Sequence, residues 1–285
     1  MIPPRELALS QARIHRARDN IKEFSEILDQ YLTRCPGDLI VDIDEQGRGT
    51  IRVVRREPIP VQLPILLGEA LQNLRAGLDN CLYAVAILDS GENPPPGATR
   101  LQWPITVTPK EWKDSKGRIQ HLSLHLITAL HRIQPFQAQN PDWNSLRILH
   151  DLARVDRHRA PHELVMWLRA VRGTFDPQII HDPTVKEGPV SEDGVIATFT
   201  KTGPDELSPA MLDLEVELEI DVREVELVPH LKTGKPARPW GPLDNRLKAA
   251  CKAVEQYTEE MVAITQDPSL FLDDEEYEQT LLRDS

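Results

Sequence analysis

The chain has few cysteines and no long apolar run. Its 285 residues include only Cys35, Cys81 and Cys251, which stand far apart without the CxxC spacing of zinc sites and redox motifs. No apolar stretch approaches the ~18 residues that span a bilayer, and the first residues lack the apolar core of a signal peptide. We therefore expect a cytoplasmic protein with free thiols and no membrane contact.

The chain is also short of positive charge, with 33 Lys and Arg against 45 Asp and Glu and a net charge of -12. Broad binding to nucleic acid depends on clustered cations, so the acidic surface argues against a nucleic-acid partner. The densest basic cluster lies on the first predicted helix, where a charge run is usually a solvated face. Its members are Arg13, His15, Arg16, Arg18 and Lys22.

Motifs for common catalytic chemistry are missing. No serine stands in a GxSxG turn, and Gly234-Lys235 lacks the earlier glycine of a phosphate-binding loop. His121 and His125 have a spacing that can bind zinc on a helix, but no Glu follows the first His as in HExxH and no third ligand is marked. We therefore predict no metal and no cofactor.

Apolar residues at helical spacing predict a bundle of four helices. They cover residues 4–31 and 63–88, a segment that starts at Asn140 as cap with Pro141 in the first position, and residues 243–264. The first and last helices have coiled-coil-like spacing, which indicates a protein partner or a homodimer through these long helices.

Alternating apolar and polar residues predict strands elsewhere in the chain. They indicate a β-hairpin at 38–56 and strands at 164–171, 194–200 and 214–222, the last with one apolar and one strongly acidic face. The predicted class is α+β, with a helical bundle and inserted hairpin in 1–160 and a mainly antiparallel, β-rich segment in 161–235. A long helix at 240–267 is expected to pack back on the bundle, and 270–285 is expected to be a mobile acidic tail.

The predicted helix at 63–88 is interrupted by polar residues beside its apolar stripe. At 100° per residue, Arg75 and Asp79 lie along one flank, while Glu69, Asn73 and Asn80 share the opposite side. On that opposite side Ala76 and Gly77 are small, which either lets another backbone approach closely or leaves room for a ligand.

A second polar group follows the helix predicted from Asn140. Asp156 falls four residues after Leu152, on the predicted buried side, and therefore needs a basic partner, for which Arg75 is a candidate. The predicted polar seam comprises Glu69, Asn73, Arg75, Asp79, Asn80, Asp156, His158 and Arg159. These residue types are sufficient for general acid–base catalysis or for anion binding. An interhelical ion-pair network is built from the same residue types, and we favour this structural interpretation.

Four short motifs give the chain a family resemblance. They are residues 68–80 (GEALQNLRAGLDN), Trp103-Pro104-Ile105, Gln134-Pro135-Phe136 and 149–159. In order and spacing they resemble an uncharacterised group of bacterial, largely actinobacterial, proteins with GExLHNLRSALDH and DKHR motifs. The resemblance covers about the first 160 residues and implies architecture rather than an activity.

A weaker similarity is to HEPN domains, helical bundles that often act as metal-independent ribonucleases in bacterial defence and toxin systems. Their Arg-x4-His motif corresponds here to Arg75 and Asn80, so the histidine is absent and an amide cannot act as general base. Two hypotheses follow. The first is a non-catalytic interaction or structural module, and the second is a HEPN-like ribonuclease or nucleotide-binding protein using Arg75, Asp79 and His158.

Overall fold

The chain is described by a computed structural model that covers residues 4–34, 37–158, 162–191, 193–203, 212–223, 225 and 227–270. Cys35, Arg159 and the predicted acidic tail from 271 onward lie outside these residues. The predicted α+β class is confirmed, because long helices stand beside antiparallel sheets. Within the described ranges, none of the helices combines the length and apolar character needed to cross a bilayer.

Six α-helices occur in the described part of the chain. Three agree closely with the predicted segments, namely the two longest and the last. The helices are α1 (Arg5–Thr33), α2 (Gln62–Ser90), α3 (Pro109–Ser115), α4 (Leu124–Arg132), α5 (Ser145–His158) and α6 (Leu243–Gln266).

The predicted start of α5 at Asn140 is wrong. Asn140 precedes a short 3-10 turn, Pro141–Trp143, and its side chain makes no capping bond. The helix begins at Ser145, where the Oδ1 atom of Asn144 accepts hydrogen bonds from the Leu146 and Arg147 amides at 2.9 and 3.3 Å. Asn144 rather than Asn140 is therefore the residue whose side chain caps this helix.

Nine strands form three antiparallel sheets in the described residues. The predicted hairpin is present, with Leu39 opposite Val53. The strand orders are β1-β2-β6-β4, β5-β3-β7 and β8-β9. The strands are β1 (Gly37–Ile43), β2 (Arg48–Arg55), β3 (Leu164–Phe175), β4 (Ile180–Val185), β5 (Gly188–Pro189), β6 (Val195–Lys201), β7 (Leu212–Val222), β8 (Val228–Pro229) and β9 (Pro236–Ala237).

The chain divides into two compact units. The helical unit contains residues 1–23, 65–161 and 227–285, and the β-rich unit contains 24–64 and 162–226. The hairpin, which the sequence suggested as an insertion in the bundle, therefore groups with the later strands. The last helix groups with the bundle, and α1 contributes its first part to one unit and its last part to the other.

The core of the helical unit is built on the apolar stripe of α2. Six side chains of this stripe are fully buried, and each contributes roughly 1.5–3 kcal/mol at most. They are Leu67, Leu71, Leu74, Leu78, Leu82 and Val85. Beside them Gly77 allows α1 to approach closely, since a Cβ there would lie 2.8 Å from Ile14 Cγ1 and the Ser10 hydroxyl donates to the Gly77 carbonyl at 2.7 Å.

The predicted acidic face of β7 receives counter-charges from the neighbouring strand β3 at Glu217 and Glu219. A β-bulge beside Leu168 leaves Arg169 without a directly opposed residue on β7. Arg169 Nε lies 3.7 Å from Glu217 Oε2 and 3.5 Å from Glu219 Oε1, and Arg172 Nη2 lies 2.6 Å from Glu217 Oε1. The neighbouring strand β3 thus supplies the counter-charges that the pattern of β7 alone could not show.

Candidate functional site

One polar flank of α2 bonds to α1. Asn20 Nδ2 donates to Glu69 Oε2 at 3.1 Å, and Arg13 Nη1 donates to Asn73 Oδ1 at 3.0 Å. Arg16 Nη2 lies 3.7 Å from the same Glu69 oxygen. Part of the basic cluster of α1 is therefore used to hold the two helices together.

The other flank of α2 holds the backbone of Trp103. Asp79 Oδ1 accepts a hydrogen bond from the Trp103 amide at 3.0 Å, and Arg75 Nη2 donates to the Trp103 carbonyl at 3.3 Å. Arg75 Nη2 is 4.0 Å from Asp79 Oδ1, at the outer limit of an ion pair. Both side chains therefore bond to the backbone of the same residue, Trp103.

A cavity of about 270 Å³ opens beside this flank. Four of its side chains carry a positive charge or can acquire one, namely Arg75, Arg118, His150 and Arg154. Among the described residues that line it, no Asp or Glu is present. The remaining lining includes Gln102, Trp103, Ile105, Thr106, Ser115 and Ala153. In a chain with a net charge of -12 this is a local concentration of positive charge.

The four basic side chains differ in exposure. Arg75 is only 6% exposed, His150 is half-buried, and Arg118 and Arg154 are exposed. Arg118 Nη1 donates to Gln102 Oε1 at 2.8 Å, which fixes one edge of its guanidinium group. The cavity thus has a cation at its buried end and two more at its open side, where an incoming anion would meet them first.

Burial lowers the pKa of His150 below its ordinary value of 6.5. Asp151 acts in the opposite direction, the positive charges of Arg75 and Arg154 lower the pKa further, and Glu111 raises it. The net direction is downward, so the imidazole is mainly neutral at neutral pH while no anion is bound.

Three residues of the predicted seam cannot be placed at this cavity. Asp156 and His158 belong to the last turn of α5, but their side chains lie outside the described part of the structure, as does Arg159 entirely. Their contact with Arg75 stays a prediction. Helix α5 nevertheless reaches the cavity of Arg75 through His150, Ala153 and Arg154.

Sequence reasoning missed Arg118, His150 and Arg154. A signal for two of them existed, since His150 and Arg154 are four residues apart on α5 and adjoin the buried Leu149 and Ala153. Arg118 belongs to a 3-10 turn, Lys116–Arg118, and no periodic pattern connects it to α2. The predicted helical pair His121 and His125 is not formed, because His121 precedes α4.

No protein-family model, curated protein or solved structure matches the chain.

Proposed function

We propose that the helical unit is a non-catalytic binding module that holds a small anionic ligand in the cavity lined by Arg75, Arg118, His150 and Arg154. The observation that carries the proposal is the grouping of three arginines around one cavity, with no carboxylate among its described lining residues. Guanidinium groups form the strongest and most directional hydrogen bonds to carboxylates and phosphates.

The position of Arg75 supports this proposal. Its guanidinium group is buried and held by the Trp103 carbonyl, so little side-chain freedom is lost when an anion binds. Burial also reduces the screening of its charge by water and salt. Arg118 and Arg154, at the open side, attract the anion over a longer range.

The bonds of the acidic residues support a non-catalytic role. Asp79 accepts a hydrogen bond from the backbone amide of Trp103, and Glu69 accepts one from the side-chain amide of Asn20. Asn80 stands where the HEPN motif has histidine. Asp79 and Glu69 thus have structural partners, and an amide cannot act as a general base.

Isothermal titration calorimetry with inorganic phosphate and with sulfate tests the proposal. The double variant Arg118→Gln/Arg154→Gln should bind either anion at least about tenfold more weakly, because a hydrogen bond to a charged group contributes roughly 1.5–3 kcal/mol. Arg100→Gln is the matched control, since Arg100 is an exposed arginine of the same unit outside the cavity. Absence of binding by the parent, or equal affinities for both variants, would overturn the proposal.

A second candidate function is the HEPN-like ribonuclease of a defence or toxin system. The observation in its favour is that a titratable imidazole, His150, lines the same cavity as Arg75. In this alternative Arg75 holds a phosphodiester and His150 acts as general base. Metal-independent cleavage of RNA by the parent, lost in His150→Gln, would support it. An inactive parent would remove it.

We also infer a cytoplasmic location and retain a protein partner or homodimer through α1 and α6 as a proposal. Cys81 and Cys251 are free and buried, and burial raises the pKa of each thiol to about 12. Such thiols are unreactive and fit a reducing compartment. Size-exclusion chromatography with light scattering tests the dimer, and a strictly monomeric protein would exclude it.

A further inference from the structure

We infer that the ligand of the arginine-lined cavity carries a doubly charged tetrahedral oxyanion, as in a phosphate monoester, and that His150 takes up a proton when this group binds. The inference rests on the proposed function and specifies the chemistry of the same site. It is based on two properties of the cavity. The arginines are supplied by three different elements, and His150 lines the same cavity.

The three arginines come from three different elements. Arg75 lies on α2, Arg118 on the turn Lys116–Arg118, and Arg154 on α5. A carboxylate is planar, and both of its oxygens can pair with one guanidinium group in a bidentate arrangement. A tetrahedral oxyanion presents acceptors in several directions and can accept from several guanidinium groups at once. Cations converging from separate elements therefore fit a phosphate or sulfate group better than a carboxylate.

The neutral polar groups of the lining favour a fully ionised ligand. Thr106 Oγ1 donates to Gln134 Oε1 at 2.9 Å, and Ser115 Oγ donates to the Trp112 carbonyl at 2.8 Å. The protons of both hydroxyl groups are therefore used inside the protein. The lining also contains three guanidinium groups, whose donors match acceptors that carry negative charge.

His150 is placed to respond to the charge of the ligand. The charged groups that act on it are Arg75 from α2, Glu111 from α3, and Asp151 and Arg154 from its own helix. While the cavity is without an anion, burial and the two arginines disfavour the imidazolium form. A dianion adds two negative charges near the arginines and can accept a hydrogen bond from the protonated ring, so the pKa of His150 rises on binding.

The sign of the resulting pH dependence follows from linkage. The complex binds more protons than the free protein, so affinity increases as pH falls through the raised pKa of the complex. Affinity stops increasing below the lowered pKa of His150 in the ligand-free protein, because His150 is then protonated in both the free and the bound protein. Sulfate is the appropriate probe, because it stays a dianion throughout and contributes no titration of its own.

Calorimetric titration of sulfate between about pH 8 and about pH 6 tests the proton uptake. Affinity of the parent should rise by up to about tenfold per pH unit within this range, whereas the affinity of His150→Gln should be flat. Titrations of the parent in two buffers with different ionisation enthalpies should show uptake of up to about one proton. The buffer comparison uses the parent protein and remains informative if the variant fails to fold.

Acetate, a carboxylate monoanion, tests the headgroup. The parent should bind sulfate at least about tenfold more tightly than acetate, because it makes more charge-assisted hydrogen bonds. Equal affinities for acetate and sulfate would overturn the tetrahedral dianion, and a pH-independent sulfate affinity of the parent would overturn the role of His150. In both cases anion binding itself, and thus the proposed function, would stand. Failure of sulfate, phosphate and acetate to bind at any pH would overturn the proposed function instead.

Discussion

The arginines of the helical unit and those of the β-rich unit are used in opposite ways. Arg169 and Arg172 on β3 have carboxylate oxygens of β7 within 3.7 Å. Arg75, Arg118 and Arg154 instead line a cavity in which the described residues contribute no acid. Arginines of the β-rich unit thus pair with carboxylates of the neighbouring strand, whereas arginines of the helical unit surround a cavity whose described lining contains no acid.

The comparison shows why the net charge of -12 is a poor guide to local sites. Glu217 and Glu219 of β7 count toward that total, yet both have arginine partners on β3. The exposed pairs add little to the free energy of unfolding, typically about 0.2–1 kcal/mol each. Their main consequence is that the charges of Arg169 and Arg172 are matched by Glu217 and Glu219 within the sheet.

The largest change in sulfate affinity is expected when a carboxylate is introduced into the cavity beside the arginines, as in the ion pairs of the β-rich unit. Ala153 is 6% exposed and lines the cavity. In Ala153→Asp the new carboxylate competes with the ligand, and two unit charges about 4 Å apart interact by about 4 kcal/mol at an effective dielectric constant near 20. Sulfate affinity should fall by more than about 100-fold in calorimetry.

Ala153→Asn is the control for this substitution, because it adds a side chain of similar size without charge. It should bind sulfate more tightly than Ala153→Asp. Equal loss in both variants would show that filled space, rather than charge, accounts for the effect and would weaken the electrostatic argument for the cavity.

Removing two arginines from the cavity and two from β3 should give sulfate affinities that differ by about tenfold. Arg118→Gln/Arg154→Gln should weaken sulfate binding, whereas Arg169→Gln/Arg172→Gln should leave the affinity unchanged, because hydrogen bonds to the bound anion are lost only in the first case. Calorimetry on both double variants at one pH and salt concentration measures the difference. Equal weakening would mean that sulfate binds to surface arginines without selection.

The lowered pKa of His150 should make the ligand-free protein less stable in mild acid. A histidine whose pKa is lower in the folded than in the unfolded state binds fewer protons when folded, so the free energy of unfolding decreases as pH falls from above 6.5 through the lowered pKa. Melting temperatures measured by calorimetry should show this decrease in the parent, and sulfate should reduce it. His150→Gln should lack this contribution, and an unchanged pH profile would contradict it.

The smallest effect is expected from removing a carboxylate in the β-rich unit. Glu217→Gln takes away a partner of Arg169 and Arg172, whose side chains are 60% and 67% exposed. Exposed pairs are worth about 0.2–1 kcal/mol, so chemical denaturation should show a loss within that range. The loss should be smaller in high salt. A loss well above about 1 kcal/mol would show that these pairs stabilise the fold more than exposed ion pairs usually do.

The parts of the fold that follow from periodicity could be predicted from the sequence. The stripe of α2 from Leu67 to Val85, the hairpin and the bounds of α6 depend on local spacing, and the structure confirms them. The cavity could not be predicted in the same way. His150 and Arg118 belong to segments whose positions relative to Arg75 depend on packing rather than spacing, so their meeting is visible only in three dimensions.

The two bonds that α2 makes to Trp103 have a consequence for solvent exchange. Trp103 belongs to no helix or strand, yet its amide proton is bonded to Asp79 and its carbonyl oxygen to Arg75. Two side chains of α2 thus bond both the amide and the carbonyl of one residue, as the backbone of a neighbouring strand does in a sheet. The Trp103 amide should therefore exchange with deuterium as slowly as amides in regular structure, and its exchange rate reports whether Asp79 remains in place.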